Sequence, residues 1–358
     1  MKRRLSIALA VLLLIAVVVV VVIDRDDSTP AASGETQQVR GVIGSEKVAF
    51  FRDRRVVDAF ARHGVRVEVD SAGSRQIATT VDLAKYDFVF PSSSPAAQKI
   101  QRDRKITTAY TPFQSPMAVA TFEPIVNLLS ANGVVRQGGL DVGKYLDLAR
   151  TGVRWDQLPG NTVFPARKNV LVTTTDPRDS NSAAMYLAIT SFVANGNNVV
   201  STEDAENRLL PELTKLFLDQ GYTEGSTDGP FGDYLATGMG RTPMVLIYES
   251  QYLDRLIRGD GSIRPDMRML YLSPTVYSKH TLVPLTPKGD QIGQLLTTDP
   301  ELAKLAATFG FRTNDPRTFN EVVAEHKLPV PADLVDVVDP PTFETLERLL
   351  DAIGKQYR

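Results

Sequence analysis

Three short turns carry the residues that could do chemistry in this chain. They are Gly44–Ser45, Ser71–Ala72–Gly73–Ser74 and Pro91–Ser92–Ser93–Ser94–Pro95. Each follows an apolar strand-like run and precedes a helical stretch. Serine hydroxyls and unpaired amides at a helix start face the positive end of the peptide dipoles, so they suit an anion. Each turn alone is an ordinary helix cap. Three turns gathered at one place would make a site.

The elements around the turns say whether they gather. Gly41–Val42–Ile43, Val65 to Val69 and Tyr86 to Phe90 read as strands. Between them, Phe50, Phe51, Val56, Val57, Phe60 and Ala61 share one helical face, Arg75 to Leu83 reads as a helix, and a third helix follows Pro95. Strand, turn and helix repeated three times predict a parallel sheet with helices on its faces. A constant crossover hand then puts all three turns on one sheet edge, where ligands bind in such folds. Ser74 is expected at an exposed turn there.

Further along, Ala109 to Thr121 and Met267 to Leu285 read as extended. Between them a second α/β segment is expected. It has a helix at 142–150, a strand at Asn169 to Thr173, helices at Ala183 to Val193 and 204–219, and a strand at Met244 to Tyr248. Helices at Asp290 to Leu296 and Pro300 to Phe309 follow.

Composition removes several function classes. The 358 residues suit two lobes rather than one small domain. With 40 Lys+Arg against 42 Asp+Glu, no basic field exists for nucleic acid. The chain has no Cys, which excludes disulfides, thiolate chemistry and Cys-held metals. His63, His280 and His326 are far apart and none sits in a nucleophile or metal-ligand context, so no metal site and no enzyme activity are expected. No Walker loop or dinucleotide fingerprint occurs, and no cofactor is expected.

The amino terminus reads as a membrane anchor. Lys2, Arg3 and Arg4 precede an apolar stretch at 5–23 that ends in Asp24, Arg25, Asp26 and Asp27. At about 1.5 Å per residue this stretch reaches roughly 28 Å, one bilayer core. Positive charge before the span keeps residues 1–4 cytoplasmic and puts the bulk of the chain outside. Cleavage as a signal peptide is the alternative. Residues 24–38 are polar and read as a tether, with folding expected from Val39.

Taken in order, these features resemble the type II solute-binding proteins, the receptor components of bacterial ABC importers. The resemblance rests on Gly44–Ser45, Gly73–Ser74, the 86–90 strand with its serine turn, and Ser115–Pro116–Met117. It continues through Thr175–Asp176–Pro177 before a helix with Met185–Tyr186, then 245–248, and Leu296 to Pro300 leading to Phe309–Gly310–Phe311. It implies an α/β fold of two lobes, 39–121 with 269–312 and 122–268, hinged by two crossing strands. Residues 313–358 lie beyond it, and Leu346, Leu349, Leu350 and Ile353 on one face predict a docking helix there.

The nearest branch binds tetrahedral oxyanions such as molybdate, tungstate, sulfate or phosphate. By order along the chain, its binding roles fall on Ser45, Ser74, the Ser180–Asn181–Ser182 turn and Tyr248, with Gly73, Ser92 and Ser93 beside them. Asp176 is a further expected site residue; Arg75, Arg178, Asp179 and Glu249 depart from the neutral-donor pattern and point to an organic acid or an amino acid as the alternative ligand. The implied partners are a small solute and a membrane permease. A ligand sensor uncoupled from transport is the alternative role.

Overall fold

The computed structural model describes residues 36–357 except 222–223, 332–333 and 335. The expected span at 5–23 and most of the tether lie outside the described residues. Among the described residues, no helix is long and apolar enough to cross a membrane.

The first βα units form as the pattern predicts, with shifted ends. They are β1 (Gln37–Ile43), α1 (Val48–Arg52), α2 (Arg54–Arg62), β2 (Val65–Ser71), α3 (Ser74–Thr79), β3 (Phe88–Phe90) and α4 (Ser94–Arg104). Strand β1 thus begins at Gln37, two residues before the expected start, because it extends before the apolar residues that betray it. Strands run β2-β1-β3, and β1 pairs with β3 in parallel. Helix α3 is shorter than expected and ends at Thr79. Phenylalanines fill one face of this sheet, with Phe113 stacked on Phe311 at 4.4 Å.

The chain then crosses. Strand β4 (Tyr110–Phe122) is the longest, and its two halves serve different neighbours. The second segment holds α5 (Glu123–Ala131), β5 (Val135–Arg136), β6 (Gly139–Asp141), α6 (Val142–Thr151), α7 (Asn181–Ala194), α8 (Glu203–Leu218), α9 (Asp228–Thr237), β7 (Met244–Tyr248) and α10 (Glu249–Arg258). The return runs through β8 (Met267–Ser273) and β9 (Tyr277–Pro284), then α11 (Pro287–Thr298), α12 (Pro300–Thr308) and β10 (Arg312–Thr313).

Register shows where the crossing lies. Up to Pro116, β4 pairs with β9. From Met117 it pairs with β7 and β8. The return crosses between β8 and β9. Two lobes therefore hang on two adjacent antiparallel strands, a mixed α/β architecture. The stretch Asn169 to Thr173 is a correction: it makes no strand and meets its neighbours only by isolated bridges, Asn169 to Arg154 and Thr173 to Val245. Its backbone follows β7 at one point, with Leu246 N donating to the Thr173 carbonyl at 2.8 Å.

The carboxyl-terminal extension holds both lobes. Helix α13 (Pro316–Glu325) buries Phe319 against Leu253. The chain then bonds the crossing segment, with Thr275 N to Asp336 O and Val338 N to Thr275 O at 2.9 Å each. Helix α14 (Phe343–Gly354) buries Leu346, Leu349, Leu350 and Ile353 in the second-lobe core. Its other edge reaches the first lobe: Arg75 bonds Glu347 at 2.8 Å and also Asp351, and Arg102 bonds Glu344.

Opening the cleft must break these pairs. Replacing both Arg75 and Arg102 by alanine should weaken the closed arrangement by about 1 kcal/mol and raise the radius of gyration measured by small-angle scattering. An unchanged radius would show that α14 rides on one lobe only.

Candidate functional site

A chamber of about 220 Å³ lies between the lobes. The first lobe lines it with Gly44, Ser45, Glu46, Gly73, Ser74 and Gln76, the second with Ser180, Asn181, Ser182, Ser226, Thr227 and Tyr248. Seven of the expected residues thus meet at one place: Ser45, Gly73, Ser74, Ser180, Asn181, Ser182 and Tyr248. No Lys or Arg is among its lining residues.

The lobes touch around it. Ser45 Oγ and Ser226 Oγ are 3.1 Å apart. Asn181 Nδ2 donates to Ser92 O at 2.9 Å and to Tyr248 Oη at 3.0 Å. Gln76 Nε2 donates to Asp179 Oδ1 at 3.1 Å. A Cβ on Gly73 would stand 2.2 Å from the Asp179 carbonyl oxygen. Gly73 has φ of -62°, so glycine is needed there for space, not for conformation.

The backbone supplies unused donors. The Ser180 side chain makes no cap bond to α7, although Ser180 stands at its N-cap position. No described residue accepts from the amides of Asn181, Ser182 or Ala183, nor from those of Ser45 or Ser74. Hydroxyls stand beside them: Ser182 Oγ lies 2.7 Å from Thr175 Oγ1 and 2.9 Å from Ser180 Oγ. Burial raises the Tyr248 phenol well above its ordinary value, and the nearby Glu46 charge adds to this, so it stays an O–H.

Ser74 has a second use, and the remaining expected residues serve elsewhere. Ser74 is not at an exposed turn: it is 3% exposed, and its Oγ accepts from Ser92 N at 2.9 Å. Ser93 caps α4 through Ala96 N. Arg75 is held by Glu347, Asp351 and the Arg178 carbonyl, at 2.7 Å for the last. Arg178 folds back on Asp176, with Nε 2.9 Å from Oδ1. Glu249 is fully buried, bonded by Arg312 at 2.7 and 2.8 Å and by Tyr271. Arg75, Arg178 and Glu249 are thus paired away from the chamber, and Asp179 accepts from Gln76 at its edge. Sequence proximity to Ser74 and Tyr248 suggested otherwise; their partners lie 22 to 276 positions away or in the same turn.

One group escaped sequence reasoning. Lys47 and His280 are fully buried below the chamber. Lys47 Nζ donates to Ser92 Oγ at 2.6 Å, to Glu46 Oε1 at 2.5 Å and has His280 Nδ1 at 3.0 Å. All three ammonium protons therefore have acceptors. Ser92 Oγ also donates to Glu46 Oε1. Accepting at Nδ1 puts the histidine proton on Nε2, which has no partner. Burial pushes Glu46 upward, but Lys47 and His280 outweigh it and hold the carboxyl well below its usual range. Burial and then the Lys47 charge lower His280 to about 4. Gly44 makes room for this group: a Cβ there would lie 2.4 Å from Ser92 Oγ and 2.6 Å from Glu46 Oε1. Only the adjacent Gly44 hinted that Glu46 turns inward.

No family model matches the chain, and no curated protein matches it in sequence. Solved structures do match in fold. An ABC transporter substrate-binding protein from Bradyrhizobium japonicum is 10% identical with a TM-score of 0.57, over 88% of this chain and 99% of the other. The sulfate-binding protein SubI from Mycobacterium tuberculosis is 16% identical with a TM-score of 0.51, over 87% and 96%. The periplasmic binding protein AfuA from Actinobacillus pleuropneumoniae, with exogenous fructose-6-phosphate bound, is 12% identical with a TM-score of 0.52, over 88% and 96%. The chain has the fold of the type II periplasmic solute-binding proteins. In this solute-binding fold the chamber described above occupies the cleft between lobes, at the edge where the helices start.

The buried histidine yields a pH prediction. The unfolded chain takes up this proton near pH 6.5, the folded chain only near 4. The stabilisation is complete above pH 6.5 and is lost as pH falls below it, by up to about 1.4 kcal/mol per pH unit. Urea midpoints between pH 7 and 5 should fall in the wild type and fall less in His280→Gln, which keeps an acceptor for Lys47. Equal slopes would show that His280 is not the titrating group.

Proposed function

We propose that this chain is a solute-binding receptor, anchored in the membrane through residues 5–23, with its bulk outside the cytoplasm. It captures a small oxyanion between its lobes and presents it to the permease of an ABC-type importer. The observation that carries this reading is the set of amides without a described acceptor, with serine hydroxyls beside them, on both sides of one small chamber lined by no Lys or Arg. Neutral donors suit a fully or partly deprotonated oxyanion, because each N–H or O–H bonds a charged oxygen without adding a fixed counter-charge. The fold neighbours named for sulfate and for fructose-6-phosphate share such a head group, which supports the reading.

A second role, sensing without transport, draws on α14. A helix that contacts both lobes changes its surroundings whenever the lobes separate, and a membrane partner can read that change.

Thermal shift of the soluble portion, residues 36–358, against sulfate, molybdate, phosphate, amino acids and small organic acids tests the ligand class. An anion at a hundred times its dissociation constant adds about 2.7 kcal/mol to the native state. Stabilisation by oxyanions is expected. Stabilisation only by amino acids or carboxylic acids would replace the reading with the organic-acid alternative.

Closure can be tested apart from chemistry. Gly73→Ala should bind at least about tenfold more weakly, because its methyl meets the Asp179 carbonyl, while the melting temperature of the empty protein stays within a few degrees. Undiminished affinity would remove lobe contact at Gly73 from the binding step.

A further inference from the structure

The chamber does not end at Ser45 and Glu46. Both residues also line a second interlobe chamber of about 390 Å³. Its lining differs in kind: Arg52, Asp228, Gln251 and Arg255 bring donors and acceptors of both signs, and Phe231 and Phe309 bring aromatic faces. Arg52 is exposed and no described residue pairs with its guanidinium.

Glu46 stands between the two. Its side chain is only 5% exposed. Oε1 is taken by Lys47 and Ser92, whereas no described residue donates to Oε2. An ionised carboxylate can only accept. A sulfate or molybdate ion in contact with Oε2 would set acceptor against acceptor, at a cost that burial raises. The group that meets Oε2 must therefore carry an O–H or N–H. An inorganic phosphate has such a proton but leaves the larger chamber to water.

We propose that the solute is a phosphate monoester of a small polyol. This rests on the oxyanion reading given above and narrows it. The phosphate sits among the amides and hydroxyls of the small chamber. The polyol extends into the larger one, where a hydroxyl donates to Glu46 Oε2 and Arg52 donates to hydroxyl oxygens.

Calorimetric titration of the full chain in detergent tests this with four probes: sulfate, inorganic phosphate, glycerol 3-phosphate and a hexose 6-phosphate. At least one ester should bind about tenfold or more tightly than inorganic phosphate, and phosphate more tightly than sulfate. Glu46→Gln and Arg52→Ala should each narrow the gap between ester and inorganic phosphate. Glu46→Gln leaves Lys47 without its counter-charge and could fail to fold, so the exposed Arg52→Ala variant decides alone if needed. Inorganic phosphate or sulfate binding as tightly as the esters would overturn the ester assignment and leave the oxyanion reading standing. An unchanged gap in Arg52→Ala would do the same. No heat with any of the four would overturn both.

Discussion

Neutral groups can hold a small anion only where water is kept away from it. In water each amide and hydroxyl already has a partner, and exchanging it for an anion gains little. In an enclosed chamber of low dielectric the same donors become strong, and nothing else competes for them. Enclosure is therefore the constraint that organises this protein. A single sheet edge is open on one side, so two lobes must meet face to face. The crossing of β4 from β9 to β7 and β8 supplies that arrangement. The absence of a side chain at Gly73 lets the faces meet.

The charges follow from the same constraint. Glu46 at the chamber wall joins Lys47, His280 and Ser92 in one buried set, in which Lys47 is satisfied three times. Breaking such a buried pair leaves an uncompensated charge and is costly. It also ties β9, through His280, to the first turn of the chain. Arg75, Arg178 and Glu249 are neutralised outside the chamber, so their proximity in sequence adds no charge to it. Glu46 Oε2 is the exception: it lines the chamber and no described residue donates to it.

Much of this was legible in the sequence, for reasons that can be named. The βα turns announce themselves by small residues between apolar runs, and the crossing strands by length and lack of helical period. These are local signals. The Ser180–Ser182 turn and Tyr248 fell into place from their order relative to a known fold. What escaped depends on distant partners. Glu46 and Lys47 look like solvated charges at a helix start until Ser92 and His280 arrive 45 and 233 positions later. Arg75 looks like a cleft residue until α14 takes it. Asn169 to Thr173 has the residues of a strand, but it meets β7 only at Thr173 and Arg154 only at Asn169, so no ladder forms.

Ligand-dependent closure around a chamber of uncharged donors is the central claim, and interlobe distance tests it most directly. The chain lacks Cys, so paired labels can be placed selectively on the exposed Lys85→Cys and Asp204→Cys, one on each lobe. Pulsed electron spin resonance then gives the distance distribution. A broad, longer distribution without anion should collapse to one narrow, shorter distance when inorganic phosphate or a phosphate ester is added at millimolar concentration. Identical distributions with and without a bound anion would contradict the account and make the two lobes a rigid body.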